Sequence, residues 1–140
     1  MTVTFFGHSN APWCIYENLY KSILNLIEAN DRITFYVGNH GNFDMMANRI
    51  LSQLSEKYAH IKYFTVLAYM PPPNQKSEFK YSILPEEVAA SHPRYAISKR
   101  NDWMLKNSDT VISHVNYSHG GAAKYYSKAQ KQGKTVINIL

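Results

Sequence analysis

Small, polar and titratable residues gather at three points of this 140-residue chain. The first is Gly7-His8-Ser9-Asn10. The second is Gly38-Asn39-His40-Gly41, with Asp44 one turn further on. The third runs from His114 through Asn116, Tyr117, Ser118 and His119 to Gly120-Gly121-Ala122. Two glycines opening a helix let a ligand approach the backbone closely. The first helical N–H groups have no intrahelical partner, and the helix dipole favours an anion there. Phosphate is the natural occupant, although a Gly-Gly pair also suits a tight turn. Asn39 and His40 offer hydrogen bonds to a base or a sugar. Asp44 is suited to accept from ribose hydroxyls, or simply to favour the positive end of the following helix, and the sequence leaves both roles open. If the chain is an enzyme, Asp44 is the candidate acid/base or oxocarbenium-stabilising group, assisted by His8 or His119. Arg100, in Ser98-Lys99-Arg100-Asn101-Asp102-Trp103-Met104, has the fork geometry that grips phosphate or carboxylate. Its spacing alone favours an exposed charge or an ion pair with Asp102.

Other chemistries find less support. Six histidines are present, and His8, His40, His114 and His119 all fall at expected strand ends. No HExxH pairing exists, and a lone histidine is more often a hydrogen-bonding residue, so no metal is expected. The single cysteine, Cys14, allows no intrachain disulfide and reads as a buried, inert thiol. There is no Walker A sequence and no GxGxxG, which disfavours an ordinary nucleoside triphosphatase or an NAD dehydrogenase. No cofactor is expected.

The elements that must position these residues follow from the apolar pattern. Val3–Phe6, Ile33–Val37, Ile61–Tyr69, Asp109–Val115 and Thr135–Leu140 read as five strands. Between them, Leu19, Ile23, Leu26 and Ile27 recur at helical spacing over Tyr16–Glu28. Met46, Ile50, Leu51 and Leu54 do the same over Phe43–Tyr58. A polar helix is expected over Tyr95–Asn107, and a last one over Gly120–Gln132, stopped by Gly133. The segment 70–93 opens with Pro71-Pro72-Pro73 and reads as an irregular insert with a short helix near Pro85–Ala90, a lid or binding loop. Strands alternating with helices imply one α/β domain over 1–140: a doubly wound, Rossmann-like three-layer sandwich with a five-stranded, mainly parallel sheet. In such sheets ligands bind beyond the carboxyl ends of the strands, where strand order reverses. The three polar clusters fall at strand ends.

Lys and Arg number 15 against 10 Asp and Glu, a formal charge of +5. That excess suits an anionic ligand. The basic residues are scattered with no run, so nucleic acid is not expected as a partner. No apolar stretch is long enough to span a bilayer and no signal sequence opens the chain, so membrane association is not expected and a cytoplasmic setting is. Eleven tyrosines suit half-buried surfaces and subunit contacts, so a homo-oligomer, dimer or larger, is expected.

Four segments also resemble the SLOG superfamily, Rossmann-like domains related to the Lonely Guy phosphoribohydrolases and to DNA-processing protein A. They are Thr4-Phe5-Phe6-Gly7-His8, Tyr36 to Asp44, Arg100-Asn101-Asp102-Trp103-Met104 with Ser108-Asp109, and Gly120-Gly121 with Lys131 to Ile139. They are similar to a bacterial branch of that superfamily. The resemblance implies binding of nucleotides or nucleotide-derived signals and frequent dimerisation, and it makes Arg100 a ligand contact. Two departures stand out. Ala122 replaces the family's usual Thr, and Ala123-Lys124-Tyr125-Tyr126 lacks the Glu that the superfamily's hydrolases carry there. The expected function is therefore binding of a nucleotide-like, phosphate-bearing small molecule, for sensing or sequestering. The alternative is an enzyme cleaving an N-glycosidic bond. The expected ligand contacts are Gly7, His8, Ser9, Gly38, Asn39, His40, Gly41, Asp44, Arg100, His119, Gly120, Gly121 and Ala122.

Overall fold

A computed structural model describes residues 1–74 and 81–140. Its sheet has six strands: β1 (Thr2–Gly7), β2 (Ile33–Val37), β3 (Ile61–Val66), β4 (Ser82–Ile83), β5 (Thr110–His114) and β6 (Thr135–Asn138). Their order is β4-β3-β2-β1-β5-β6, and every pairing is parallel. The helices are α1 (Tyr16–Ala29), α2 (Gly41–Lys57), α3 (Glu86–Ala89), α4 (Ala96–Lys106) and α5 (Gly121–Lys131). This is the α/β, Rossmann-like arrangement, with one strand more than expected.

Alternation along each strand sends side chains to two separate cores. Val3, Phe5, Ile33, Phe35 and Ile112 face one side, where Leu19, Ile23 and Ile27 of α1 and Met46, Ile50 and Leu51 of α2 cover them. Phe6 and Val111 face the other, where Met104 and Leu105 of α4 and Tyr125 and Ala129 of α5 close over them. The apolar stripes of α1 and α2 therefore do what their spacing required. At the end of α5, Gly133 takes φ +74 and Lys134 donates back to the Ala129 carbonyl, the left-handed stop that glycine permits.

Two expectations about the middle of the chain are corrected. The third strand ends at Val66 rather than Tyr69, because Tyr69 and Met70 are exposed and leave the sheet. β4, the sixth strand, is only two residues long and pairs with the end of β3. A strand that short carries no periodicity to read. Part of the expected insert, residues 75–80, lies outside the described residues. The short helix falls at Glu86–Ala89, with Pro85 at its N-cap. Cys14 is exposed, not buried, because the turn of 3-10 helix over Trp13–Ile15 turns only Ile15 inward.

Candidate functional site

Strand order reverses between β1 and β5, which are neighbours in space and run in register to Gly7 opposite His114. A pocket of about 220 Å³ opens beyond these strand ends. The β1 end contributes Gly7, His8 and Ser9. The β2–α2 turn contributes His40 and Asp44. The β5–α5 segment contributes Tyr117, Gly120, Gly121 and Ala122. Three distant turns and one helix thus share a wall, as the rule for open parallel sheets requires. The helix is α4, which adds Ile97, Arg100, Asn101 and Met104 to the lining, while Phe5 and Phe6 of β1 close it from below. Of the expected contacts, Gly38, Asn39, Gly41 and His119 do not line the pocket.

Arg100 is the centre of the arrangement. Only 3% of it is exposed, so it is not a surface charge, and it is not paired with Asp102. That carboxylate instead takes Lys128 Nζ at 2.9 Å and the Tyr125 hydroxyl at 2.9 Å. Burial pushes Asp102 up, but these two hydrogen bonds together with the charges of Lys128 and Lys124 outweigh it and hold the group below the usual carboxylate range. Arg100 Nε donates to Asn101 Oδ1 at 3.0 Å. Its Nη1 donates to Asn39 Oδ1 and reaches His40 Nδ1, each at 3.2 Å. A guanidinium can only donate, so His40 Nδ1 is an acceptor and the ring is neutral. Burial, then the Arg100 charge, keeps the His40 pKa low. Burial likewise lowers the Arg100 pKa, and Asp44 partly offsets this. Among the described residues, the ion pairs are Glu17–Lys21 and Asp102–Lys128, so the Arg100 guanidinium has polar neighbours but no carboxylate within 4.0 Å. A buried charge without a close counter-ion is costly to keep.

Asp44 lies on the same wall, 8% exposed. Its Oδ2 accepts the His40 backbone N–H at 3.0 Å, tying the turn before α2 to the helix's first coil in the manner of a capping interaction. Burial raises its pKa to about 6, against the opposing pull of Arg100 and of the His40 N–H. Asn48 stands behind it, donating to the Gly38 and Asp44 carbonyls and accepting from Thr65. The sequence reading missed Asn48, for one asparagine in a helix is no signal by itself.

The glycines divide into two kinds. A Cβ on Gly7 would overlap the Phe43 ring. One on Gly38 would fall 2.6 Å from Asp44 Oδ2 and 2.9 Å from Arg100 Nη1. Gly41, at φ +88, lies against the backbone of Ser9, whose carbonyl accepts the Asn42 N–H at 2.8 Å. These three let neighbouring groups pack close. Gly120 and Gly121 differ: among the described residues, no atom beyond the adjoining chain lies within 4 Å of where a Cβ would stand. Gly120 stands at the N-cap of α5 at φ +92, ψ 173, and among the described residues no side chain caps the helix. Free donors at the positive end of a helix dipole, bordering the pocket that holds a buried guanidinium, form an anion-attracting concavity.

The β5–α5 segment is held by long-range hydrogen bonds. Asn138 Oδ1 accepts the Val115 N–H and its Nδ2 donates to the Val115 carbonyl. His8 Nε2 accepts the Asn116 N–H at 3.1 Å, and the Tyr117 hydroxyl meets Asn10 Oδ1 at 3.2 Å. Tyr117 stacks on His8 at 3.5 Å and 6°, and on His119 at 4.4 Å and 30°. Both rings could not share one face of Tyr117 at those spacings, so it is sandwiched between them. Four histidines do not converge on one point: His114 Nδ1 is bonded to the Ile139 carbonyl at 2.6 Å, and His40 sits with Arg100. Among the described residues no group of three or more His, Cys, Asp or Glu could hold a metal ion.

No protein-family model matches the chain, and neither does any curated protein. Solved structures do. The chain is similar to DNA processing protein A from Streptococcus pneumoniae, with a TM-score of 0.72 at 16% identity, over 98% of this chain and 49% of that one. It is similar also to DNA processing protein A from Helicobacter pylori, with a TM-score of 0.69 at 14% identity, over 99% of this chain and 64% of that one. The fold is therefore of the DNA-processing protein A type, the part of the superfamily resemblance that a structural likeness can carry. The chain spans about half the length of the first neighbour and less than two thirds of the second. The Helicobacter pylori structure is described for its single-stranded DNA binding mode. That corrects the expectation that nucleic acid is not a partner. Scattered basic residues were the ground for it, and scatter along a chain says nothing about which cations a fold gathers.

No helix among the described residues is long and apolar enough to cross a membrane.

Proposed function

We propose that this protein binds a phosphate-bearing, nucleotide-like ligand, the phosphate at the open N-terminus of α5 and the rest along the wall of Asp44, His40 and Arg100. One observation carries the reading: a guanidinium 3% exposed, with no carboxylate partner among the described residues, lines the same pocket as the uncapped amides of Gly120 and Gly121. A bound anion would answer both the buried charge and the unmet donors. Asp44 adds an acceptor suited to a sugar hydroxyl or a base amino group. Gly7, Gly38 and Gly41 serve this site through packing, and Asn39 through its bond to Arg100.

A second reading concerns the ligand's size, and the pocket's volume favours it. About 220 Å³ lies below the roughly 300–1,000 Å³ of sites that engulf a whole small molecule. Part of the ligand then lies outside, on the rim. There the chain exposes Tyr69, Tyr95 and Ile97 beside the pocket, with Arg94 over the Tyr95 ring at 5.9 Å. Aromatic faces interleaved with cations are what single-stranded nucleic acid uses, stacking its bases and neutralising its phosphates. The pocket would then hold one nucleotide unit of a strand.

The test is thermal unfolding with sulfate, adenosine monophosphate and a short oligothymidylate, each added separately. Binding to the folded state raises the unfolding temperature by mass action. The reading expects a rise with sulfate and a larger one with a nucleotide. No rise with any of the three at millimolar concentration rules it out. An oligothymidylate effect well above that of the mononucleotide, falling steeply with salt, selects the single strand.

A further inference from the structure

His8 was expected to touch ligand, but its bonds describe a different task. The ring is buried, 3% exposed, at the end of β1. Its Nε2 lies 3.1 Å from the Asn116 backbone nitrogen. A backbone N–H can only donate, so Nε2 must be the bare nitrogen and the proton of the neutral ring sits on Nδ1. The amide that His8 receives lies four residues before Gly120, on the segment that delivers the uncapped start of α5 to the pocket. The same ring lies flat against Tyr117 at 3.5 Å. One histidine therefore grips this segment twice, through an acceptor and through a face.

We propose that His8 is a positioning residue for the anion site: in its neutral form it holds the 115–120 segment in place, and protonation releases it. The proposal rests on the anion-binding reading above. Adding a proton at Nε2 would set two donors against each other across the 3.1 Å gap, so the bond to Asn116 must break. Burial and two neighbouring histidines oppose that proton, while the Tyr117 face alone would tolerate it. His114 approaches edge-on from β5 at 5.9 Å, Tyr117 covers one face, and His119 lies beyond Tyr117. Burial, then His114 and His119, keep the His8 pKa below its ordinary value. The neutral form is thus the resting form, and release belongs to the acid side.

The sign of the effect distinguishes it from simple electrostatics. Acid makes the protein more positive and protonates Asp44, and both changes favour anion binding. Release of the segment by His8 acts in the opposite direction. Sulfate is the suitable probe, since it keeps its double charge throughout this range, whereas a phosphomonoester titrates.

The experiment measures sulfate affinity across the pH range in which the His8 ring titrates by NMR, together with the Asn116 amide shift. It compares the wild type with His8→Gln and His8→Ala. A glutamine carbonyl can supply a non-titrating acceptor near the position of Nε2. We expect wild-type affinity to fall about tenfold, the equivalent of one lost hydrogen bond, with the midpoint of the His8 titration. The Asn116 amide moves with it. His8→Gln restores binding and abolishes this pH step, while His8→Ala binds weakly at every pH. If the His8 ring titrates with no movement of the Asn116 amide, or if wild type and His8→Gln share one pH profile, the proposal is overturned. If the amide follows the ring but sulfate binds at no pH, the grip on the segment stands and the anion reading fails instead.

Discussion

At the residue scale, the site holds two buried charges that do not form a close pair. Asp44, with its pKa raised to about 6 by burial, carries a negative charge at neutral pH that the fold disfavours. The stability tied to its protonated form is fully present below the ordinary value of 3.8 and is lost as pH rises through about 6. Asp44→Asn keeps an oxygen to accept the His40 N–H and removes the charge. It should therefore raise the unfolding temperature at neutral pH, by up to roughly 3 kcal/mol of stability, with the advantage fading as pH falls through that window. A variant less stable than the parent at neutral pH would contradict this account of Asp44. For Arg100, the conservative change is the informative one. Arg100→Lys retains a charge but cannot reach Asn101, Asn39 and His40 from one planar group. Sulfate affinity measured by calorimetry should fall about tenfold or more. Asp44 could be named as a candidate from its place after the glycine turn, and Arg100 only through the family resemblance, since its spacing favoured an exposed charge. The burial of both was not legible. Arg100 meets Asn39 across 61 residues of chain, and no local pattern announces such a meeting.

At the scale of elements, the decisive matter is which glycine makes room for protein and which for ligand. Gly7→Ala would drive a methyl into the Phe43 ring, and overpacking of this kind costs about 1–3 kcal/mol. Gly121→Ala meets no atom of the described residues within 4 Å beyond the adjoining chain and replaces the poorest helix former but proline with the best, so stability should hold or rise by up to roughly 1 kcal/mol. Under the proposed anion binding its methyl would intrude on the anion's place, so sulfate affinity should drop although the fold is sound. Unfolding temperature and affinity, measured on both variants, should move in opposite patterns. Loss of stability in Gly121→Ala would show that this glycine serves the fold. In the sequence Gly120-Gly121 stood out as a pair opening a helix, but Gly7, Gly38 and Gly41 were expected to touch ligand as well, since each also lies between a strand and a helix. The long strands and amphipathic helices were legible from period alone. β4 was not, because two residues make no period, and its place is set by pairing with β3.

At the scale of the whole molecule, the parallel sheet puts β1 beside β5 and so brings turns from both halves of the chain to one end. Tyr69, Tyr95 and Ile97 extend that end with exposed apolar surface. If this rim takes a single strand, the logarithm of oligothymidylate affinity should fall linearly with the logarithm of salt concentration, with a slope that counts the phosphates engaged. Replacing Tyr95 by Ala should weaken it by about 1–3 kcal/mol, the worth of one stacked base. The same change should leave sulfate affinity where it was. Equal losses for both ligands would place Tyr95 outside any strand path.

The amino-acid sequence alone determined the alternation of strands and helices and the polar turns at the strand ends, because hydrophobic period and turn chemistry are written within a few neighbouring residues. Only the tertiary structure decided that α4 supplies a wall of the pocket, that Arg100 is buried there with no carboxylate partner among the described residues, and that His8 holds an amide 108 positions away. Those facts depend on strand order and on close packing between distant segments. Both are set by the fit of whole surfaces, which no short stretch of chain encodes.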